Sequence, residues 1–183
     1  MILRGHDLAG ATVRVKLTRS LLPAPYELTP DPASTATQVV APLPDDQAGL
    51  PAGAYAASVA ASPSGSAGDE RESNALPLSI APRIRQISPQ PVVRDPNGQA
   101  TVTLLCSPEV WPDQRASLIV GDAEFLAAPR TAKSDTLEFT LSGLPAVPRT
   151  YFVRLRIDGV DSLLIDHAAP APAYDPSQTM VVQ

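Results

Sequence analysis

Proline is the residue that most constrains what this chain can fold into. It accounts for 21 of the 183 residues, against a usual frequency of ~5%. Proline lacks a backbone N–H and clashes with the preceding helical turn, so it breaks helix interiors. Between the prolines, apolar and polar residues alternate rather than recurring every three or four positions. The sequence therefore predicts an all-β protein built from short strands.

Strands are predicted where polarity alternates between proline or glycine residues. The clearest early example places Val13, Val15 and Leu17 on one face. Residues 62–72 are rich in serine, glycine and charge, and we expect a mobile hairpin loop there. The predicted strands cover residues 12–17, 26–29, 38–43, 55–60, 76–80, 84–87, 100–105, 116–120, 137–141, 151–158 and 160–165.

The most regular pattern spans residues 151–157. Arg154 and Arg156 are predicted to share the outward face of this strand, since successive side chains alternate. The Asp158-Gly159 dipeptide that follows predicts a two-residue hairpin turn, because glycine adopts positive φ without a Cβ penalty. The apolar residues predicted to face the core are Tyr151, Val153, Leu155 and Ile157.

The order of features in the first half of the chain is repeated in the second. A strand, a Leu-Pro-Ala turn, a strand that opens near a tyrosine, a hairpin and a closing strand recur, with the turns at residues 50–52 and 144–146. Six or seven strands in about 80 residues is the density of a β-sandwich. The sequence thus predicts two tandem immunoglobulin-like β-sandwich domains, over residues 1–82 and 83–167.

Residues 168–183 are predicted to form an extended C-terminal tail. Residues 168–173 have the composition of a polyproline-like spacer, and residues 179–182 have that of a short strand. The second sandwich is expected to be complete without this tail. We therefore expect the tail to add to a sheet edge, either of its own chain or of a neighbouring subunit.

Charge and composition exclude several classes of function. The net charge of −5 argues against nucleic acid as the partner, since that needs a basic face. No apolar run approaches the ~20 residues of a membrane span, and the first residues lack the long apolar stretch of a signal peptide. The single cysteine, Cys106, permits no internal disulfide. These features predict cytoplasmic synthesis.

The residues capable of catalysis do not form a recognisable motif. His6 and His167 are the only histidines, and no serine lies in a nucleophile-elbow glycine pattern that would complete a triad. Cys106 follows an apolar strand and is interpreted as structural, since no basic helix terminus adjoins it. We therefore expect no catalytic residue, no cofactor and no enzymatic activity.

Candidate ligand-binding residues are similarly sparse, and we expect no metal site. Asp158, Asp161 and Asp166 could suggest calcium, but they lack the spacing and terminal glutamate of a calcium loop. A polar hairpin rim is the preferred interpretation. Trp111 could stack on a sugar or anchor the sandwich, and the anchor is preferred. The acidic residues at 45–46 and 69–72 are interpreted as solvated loop charges.

Several segments resemble a known family. Residues 3–8 (LRGHDL) with 12–15 (TVRV) resemble the start of an IPT/TIG immunoglobulin-like module. Three further segments are similar to the C-terminal region of the tail-terminator, or cap, proteins of contractile injection systems, which are phage-tail-like particles of bacteria. These segments are SNALPLSIAPRI (73–84), QRASLIVG (114–121) and YFVRLRIDGVDSLL (151–164), and the last is the most distinctive.

The resemblance implies a structural protein that closes the tube and sheath at the end away from the baseplate. Its implied partners are other tail subunits (cap ring, sheath or tube) and further copies of itself in the assembled particle. Family members carry a ring-forming domain before this region, whereas this chain begins at the sandwich region, so the appendage is the part expected here. The alternatives are an immunoglobulin-like module that binds a glycan or surface protein through its loops, and an accessory domain of an enzyme.

Overall fold

The alternating polarity of the sequence is realised as β-structure in a computed structural model of the chain. The structure describes residues 1–44, 49–63, 67–145, 147–166 and 171–183. Within these ranges the chain forms seventeen strands, two short 3-10 turns (Ala67–Asp69 and Pro176–Gln178) and no α-helix. The predicted all-β class is confirmed. None of the described residues belongs to a helix long and apolar enough to cross a membrane.

Contacts divide the chain into two units. Unit 1 comprises Met1–Leu50 and Ala54–Ser79, and unit 2 comprises Pro51–Gly53 and Ile80–Gln183. Three residues from the first half of the sequence therefore belong to unit 2. Among them, the carbonyl oxygen of Ala52 accepts a hydrogen bond of 2.8 Å from Nε2 of Gln114, and Ala52 itself is buried in the unit 2 core.

The described residues of unit 1 form two sheets. The larger has the order β3-β2-β5-β6, with β7 also pairing with β5, and the smaller joins β1 to β4. Residues 62–72 are not all loop as predicted, because β6 pairs with β5 through Ala60 and Glu72. The strands are β1 Ile2–Arg4, β2 Thr12–Thr18, β3 Tyr26–Leu28, β4 Gln38–Val40, β5 Gly53–Ser62, β6 Arg71–Glu72 and β7 Leu76–Ile80.

In unit 2, the part of the chain that the structure describes forms two larger sheets and a short two-stranded one. The five-stranded sheet has the order β11-β10-β13-β14, with β17 also pairing with β13. The three-stranded sheet has the order β12-β9-β8, and β15 pairs with β16. The strands are β8 Arg83–Ser88, β9 Ala100–Val110, β10 Ala116–Val120, β11 Ala123–Leu126, β12 Ser134–Leu141, β13 Arg149–Ile157, β14 Val160–Asp161, β15 Ile165–Asp166, β16 Ala173–Tyr174 and β17 Thr179–Val182.

The larger sheet of each unit has the same strand order along the sequence. In unit 1 the second, third, fifth and sixth strands form it, and β7 joins β5. In unit 2 the strands β10, β11, β13 and β14 take the same relative places, and β17 joins β13. The β1–β4 pair likewise matches β9–β12. By strand order, β17 is therefore the counterpart of β7.

The unit 2 core lies between its two larger sheets and gives it a β-sandwich-like character. The predicted inward residues of β13 are buried, with Val153, Leu155 and Ile157 at 0% exposure. From the opposing sheet, Leu104 and Phe139 pack into the same apolar cluster. The inward face predicted for this strand is confirmed. It follows because strict alternation sends every second side chain to the core.

The turns of unit 2 show one prediction confirmed and one strand missed. Asp158 and Gly159 both have positive φ, at 48° and 84°, and Ile157 pairs with Val160 across them. The predicted hairpin is therefore present. Strand β11 was not predicted, although Gly121, with φ of 59°, begins the two-residue turn that leads into it.

The C-terminal strand β17 lies in the sheet of its own chain. Tyr151 pairs with Met180, and the four residues of β17 pair with residues 149–152. Met180 and Val182 are buried, at 0% and 1% exposure. The expectation that the second sandwich is complete without the tail is therefore wrong, because two tail side chains fill its core.

Candidate interaction face

The outer face of the five-stranded sheet carries an ion-pair network centred on Arg156. The guanidinium of Arg156 binds Asp161 through two bonds, Nε–Oδ1 at 2.6 Å and Nη2–Oδ2 at 3.2 Å. Its Nη1 lies 3.4 Å from Oε2 of Glu124, and Arg154 Nη1 lies 3.0 Å from Asp161 Oδ2. The hydrogen bond to Asp161 raises the pKa of Arg156. Four charged groups are thus engaged with one another.

Local structure explains why these groups meet. Arg154 and Arg156 lie on the outward face of β13 because the intervening residues face the core. The tight turn at residues 158–159 places Asp161 directly opposite Arg156 in the register. On β10, the hydroxyl of Ser117 donates to Oε1 of Glu124 at 2.6 Å. The network therefore crosses four adjacent strands, and a shallow cleft of about 290 Å³ opens beside it between Arg156 and residues of β10 and β11.

An exposed aromatic pair lies on the same strand. Phe152 shares the outward face of β13 with the two arginines, and its ring lies 4.5 Å from that of Tyr174, centroid to centroid. The two residues are 47% and 58% exposed. Leu163 is also exposed, at 62%, between β14 and β15. We define the interaction face as Phe152, Tyr174 and the ion-pair network. Aromatic and arginine side chains are enriched at protein interfaces.

Asp158, in the turn after β13, binds the residues that precede β10. Asp158 accepts hydrogen bonds from the backbone N–H of Arg115 at 2.9 Å and from Nε2 of Gln114 at 2.8 Å. Asp161 is engaged by the two arginines of the network, while Asp166 lies in β15. The structure therefore distributes the three aspartates over different roles. In the described ranges, no group of three His, Cys, Asp or Glu residues is arranged to hold a metal ion.

Trp111 is held at the end of the sandwich. Its carbonyl oxygen accepts from Nε and Nη2 of Arg130, at 3.1 and 2.9 Å. The ammonium of Lys133 lies 3.8 Å from the centroid of its ring, within the range of a cation–π interaction. One face of the ring is therefore occupied by a side chain of the same chain.

The remaining candidate residues lie apart from this face. Cys106 is buried, and burial raises the pKa of its thiol to about 12. His6 lines a separate cavity of about 450 Å³ in unit 1, beside Asp7 and Leu8. His167 and the acidic pair at 45–46 lie outside the described residues.

The acidic residues of the 69–72 segment are more engaged than predicted. Glu70 accepts from Arg14 and, at 2.5 Å, from Nζ of Lys16. Glu72 accepts from the hydroxyl of Ser58 at 2.7 Å. These two glutamates thus form an ion-pair network on the larger sheet of unit 1, rather than being only solvated loop charges.

Sequence reasoning missed the aromatic pair. Phe152 occupies a position of β13 whose side chain must face outward, where the alternation calls for a polar residue. An apolar residue at such a position indicates an exposed side chain that makes a specific contact. Tyr174 gave no comparable signal, since its partner lies 22 residues away in the sequence. Glu124 was missed together with β11, the strand that carries it.

Residues 82–182 match the family described as a domain of unknown function, DUF8756. This match covers more than half of the chain. The chain belongs to the DUF8756 family. The DUF8756 domain begins immediately before β8 and ends with the last residue of β17, so it contains the whole interaction face. No curated protein matches the chain.

Proposed function

We propose that this chain is a non-enzymatic structural module of a phage-tail-like contractile injection system. In this proposal it decorates the tail terminator, or cap, that closes the tube and sheath. Its partners are cap-ring, sheath or tube subunits and further copies of itself. The chain is made in the cytoplasm and becomes part of the assembled particle.

One observation carries this proposal. The segment with the most distinctive resemblance to tail terminators, residues 151–164, is the segment that builds the centre of the interaction face. It contains β13, the turn at 158–159 and β14, and it displays Phe152 next to the arginine network. The segment that most resembles the tail terminators and the centre of the interaction face are therefore the same hairpin.

Strand order supports the finer proposal of tandem immunoglobulin-like sandwiches. In unit 2, the sheets β8-β9-β12 and β11-β10-β13-β17 correspond to the A-B-E and C′-C-F-G strands of such a fold. The chain after β8 crosses to the other sheet, where Val92 forms a parallel bridge with Val182 of the last strand. The matching strand order of unit 1 supports the duplication.

The polar groups of the face favour recognition over catalysis. Arg154, Arg156, Glu124 and Asp161 form ion pairs with one another. Charged groups that meet complementary charges on a partner fix the register of an interface and exclude wrong partners. The buried Cys106, whose pKa is raised, is a poor nucleophile.

The alternative of glycan binding through Trp111 has less support. Stacking on a sugar needs an open ring face, and Lys133 covers one face of this ring at 3.8 Å. A sugar would have to displace that cation or approach from the other side. Loss of glycan-array binding in a Trp111→Ala variant would favour this alternative.

Co-purification with tail subunits tests the proposal. The tagged chain is mixed with the sheath, tube and cap-ring proteins encoded beside its gene. We expect retention of at least one of them, and at least tenfold weaker retention for the double variant Phe152→Ser and Tyr174→Ser. Ile2→Ser, which changes an exposed apolar residue of unit 1, is the matched control and should bind normally.

Two results would contradict the proposal. The first is that no tail subunit is retained, together with a gene neighbourhood that lacks sheath, tube and baseplate genes. The second is equal retention of tail subunits by the wild type and the double variant, which would show that the interaction face does not bind them. Circular dichroism of each variant establishes that it is folded.

A further inference from the structure

Strand β17 occupies a slot with two walls. One wall is residues 149–152 of β13, which pair with it in antiparallel register. The other is the segment at residues 90–94, where the N–H of Val92 donates to Val181 O at 2.8 Å and the N–H of Gln183 donates to Val92 O at 2.8 Å. We call this arrangement the strand slot.

The side-chain amide of Gln90 makes the hydrogen bonds that a neighbouring strand's backbone would make to β17. Its Nε2 donates to the carbonyl oxygen of Thr179 at 3.1 Å, and its Oε1 accepts from the N–H of Val181 at 3.2 Å. Farther along, Nε of Arg94 donates to Gln183 O at 3.2 Å. The slot therefore supplies partners on both edges of β17, in addition to the core pocket that buries Met180 and Val182.

The described residues of the connection that leads to β17 are not part of the unit 2 core cluster. It leaves β14 at Ser162 and returns at Gln178, and these two buried residues are joined by a hydrogen bond of 2.8 Å between Ser162 Oγ and Gln178 Oε1. Leu163 and Tyr174, within the connection, are mostly exposed. Release of the connection would separate β15 from β16 and would move Tyr174 from Phe152, while β17 kept its own contacts.

The connection is also long enough to reach another molecule. The fifteen residues from 163 to 177 span up to about 50 Å when extended. A domain of about 100 residues has a radius of gyration of only about 13 Å. Three prolines in this stretch, at 170, 172 and 176, favour an extended chain.

We infer that the strand slot accepts β17 from a second copy of this chain as well as its own, so that neighbouring copies exchange C-terminal strands. An exchanged strand makes the same hydrogen bonds and buries the same side chains. The resident strand keeps two advantages. One is its tether, which corresponds to an effective concentration on the order of millimolar, and the other is the β15–β16 pairing within its connection. Exchange is therefore expected where copies are packed at comparable local concentration, as in a homo-oligomer.

Cysteine pairs at Thr150 and Val181 provide the test. These residues are register partners, and the backbone groups of Val181 bond to residues 90–92 rather than to β13. Thr150 and Val181 are therefore a non-hydrogen-bonded pair, whose Cα atoms lie about 4.5 Å apart, which suits a disulfide. Full-length Thr150→Cys and Val181→Cys chains are mixed across concentrations from micromolar to millimolar and mildly oxidised.

We expect a heterodimeric disulfide that increases at least tenfold toward millimolar concentration. The mixture of Thr150→Cys with Leu126→Cys, an exposed position on β11, reports random collisions. A double variant carrying both cysteines in one chain should lock its own strand and remain monomeric. Cys106 is buried and does not compete.

A heterodimer no more abundant than the Leu126 control at every concentration would overturn the inference. If a cysteine variant fails to fold, light scattering of the wild type after incubation at millimolar concentration decides instead. A dimer that survives dilution supports exchange, and a monomer alone refutes it. The exchange requires no other tail protein, so its failure and failure of the proposed function are separate results.

Discussion

Individual side chains of β13 divide the strand into a buried face that stabilises unit 2 and an outward face that is partly exposed. Leu155 is fully buried, whereas Arg154, its neighbour in sequence, has a side chain 41% exposed. The same nine-residue strand therefore supplies the core with one face and the proposed interaction face with the other, and substitutions on its two faces should separate these roles.

We expect Leu155→Ala to lower the free energy of unfolding by about 2–4 kcal/mol, through lost burial and a residual cavity. Arg154→Ala removes only an exposed ion pair and should cost about 0–1 kcal/mol. Urea denaturation of both variants measures the difference. Equal losses at the two positions would show that the assigned facing of β13 is incorrect.

Gly159 should tolerate a side chain poorly. Its φ of 84° is unfavourable for a β-branched residue, although a Cβ at this position would meet no other atom within 4 Å. We expect Gly159→Val to cost about 1–3 kcal/mol from backbone strain alone. Gly68→Ala, at a glycine with open space and no positive φ, is the control in thermal unfolding and should change stability little.

At the scale of strands, the five-stranded sheet of each unit carries an ion-pair network on one face. In unit 1 the cations Arg14 and Lys16 lie on β2, and in unit 2 the cations Arg154 and Arg156 lie on β13. Lys16 pairs in register with Ser58, and Ser117 pairs with Arg156. In unit 1 the cation lies on β2 and the serine on β5. In unit 2 the serine lies on β10, the counterpart of β2, and the cation lies on β13, the counterpart of β5.

The unit 1 network should make stability depend on pH in the acid range. A hydrogen bond from Lys16 lowers the pKa of Glu70, and one from Ser58 lowers the pKa of Glu72, both from an ordinary 4.5. Because the folded-state pKa is depressed, this stabilisation is complete above the unfolded pKa and is lost as pH falls through the folded value.

Comparison of the wild type with a Glu70→Gln and Glu72→Gln double variant tests this dependence. The wild type should be more stable above pH 5, and the two unfolding free energies should converge as the pH falls below about 4.5. Glu109→Gln, at an exposed glutamate of unit 2, should keep the wild-type profile. A constant difference from pH 3 to 6 would mean that the network does not titrate as described.

Gln90 should be a determinant of β17 docking. Replacing it with alanine removes two hydrogen bonds to the strand backbone, each worth about 0.5–1.5 kcal/mol. We expect the amide of Val181 to lose at least tenfold of its protection in hydrogen exchange. Gln86→Ala, at an exposed glutamine of β8, should leave that protection intact, and the same loss in both variants would contradict the assignment.

At the scale of the whole molecule, the tail belongs to the folded domain. Deleting residues 179–183 removes Met180 and Val182 from the core and should cost about 3–6 kcal/mol, at about 1.5–3 kcal/mol for each buried side chain. Melting of a monomeric sample measures this. An unchanged melting temperature would show that β17 contributes nothing to its own unit and docks only on another chain.

Much of the fold was predictable, but the candidate site was predictable only in part. The strand at 116–120 was predicted from its apolar sequence, and the outward Arg154 and Arg156 followed from alternation. Trp111 and the three aspartates were considered as candidates, but nothing in the sequence placed Phe152 against Tyr174. Likewise, Glu124 could not be joined to Arg156 without the register of β10 between β11 and β13.

The sequence by itself determined features that depend on a few consecutive residues. Alternation decided which side chains of residues 151–157 face the core, and the freedom of Gly159 to adopt positive φ decided the turn. Only the tertiary structure decided the slot of β17, where Gln90 binds Val181 across 91 positions of sequence. Local polarity encodes a strand and its faces, but the choice among sheet edges depends on which edge also buries Met180 and satisfies both sides of the strand backbone.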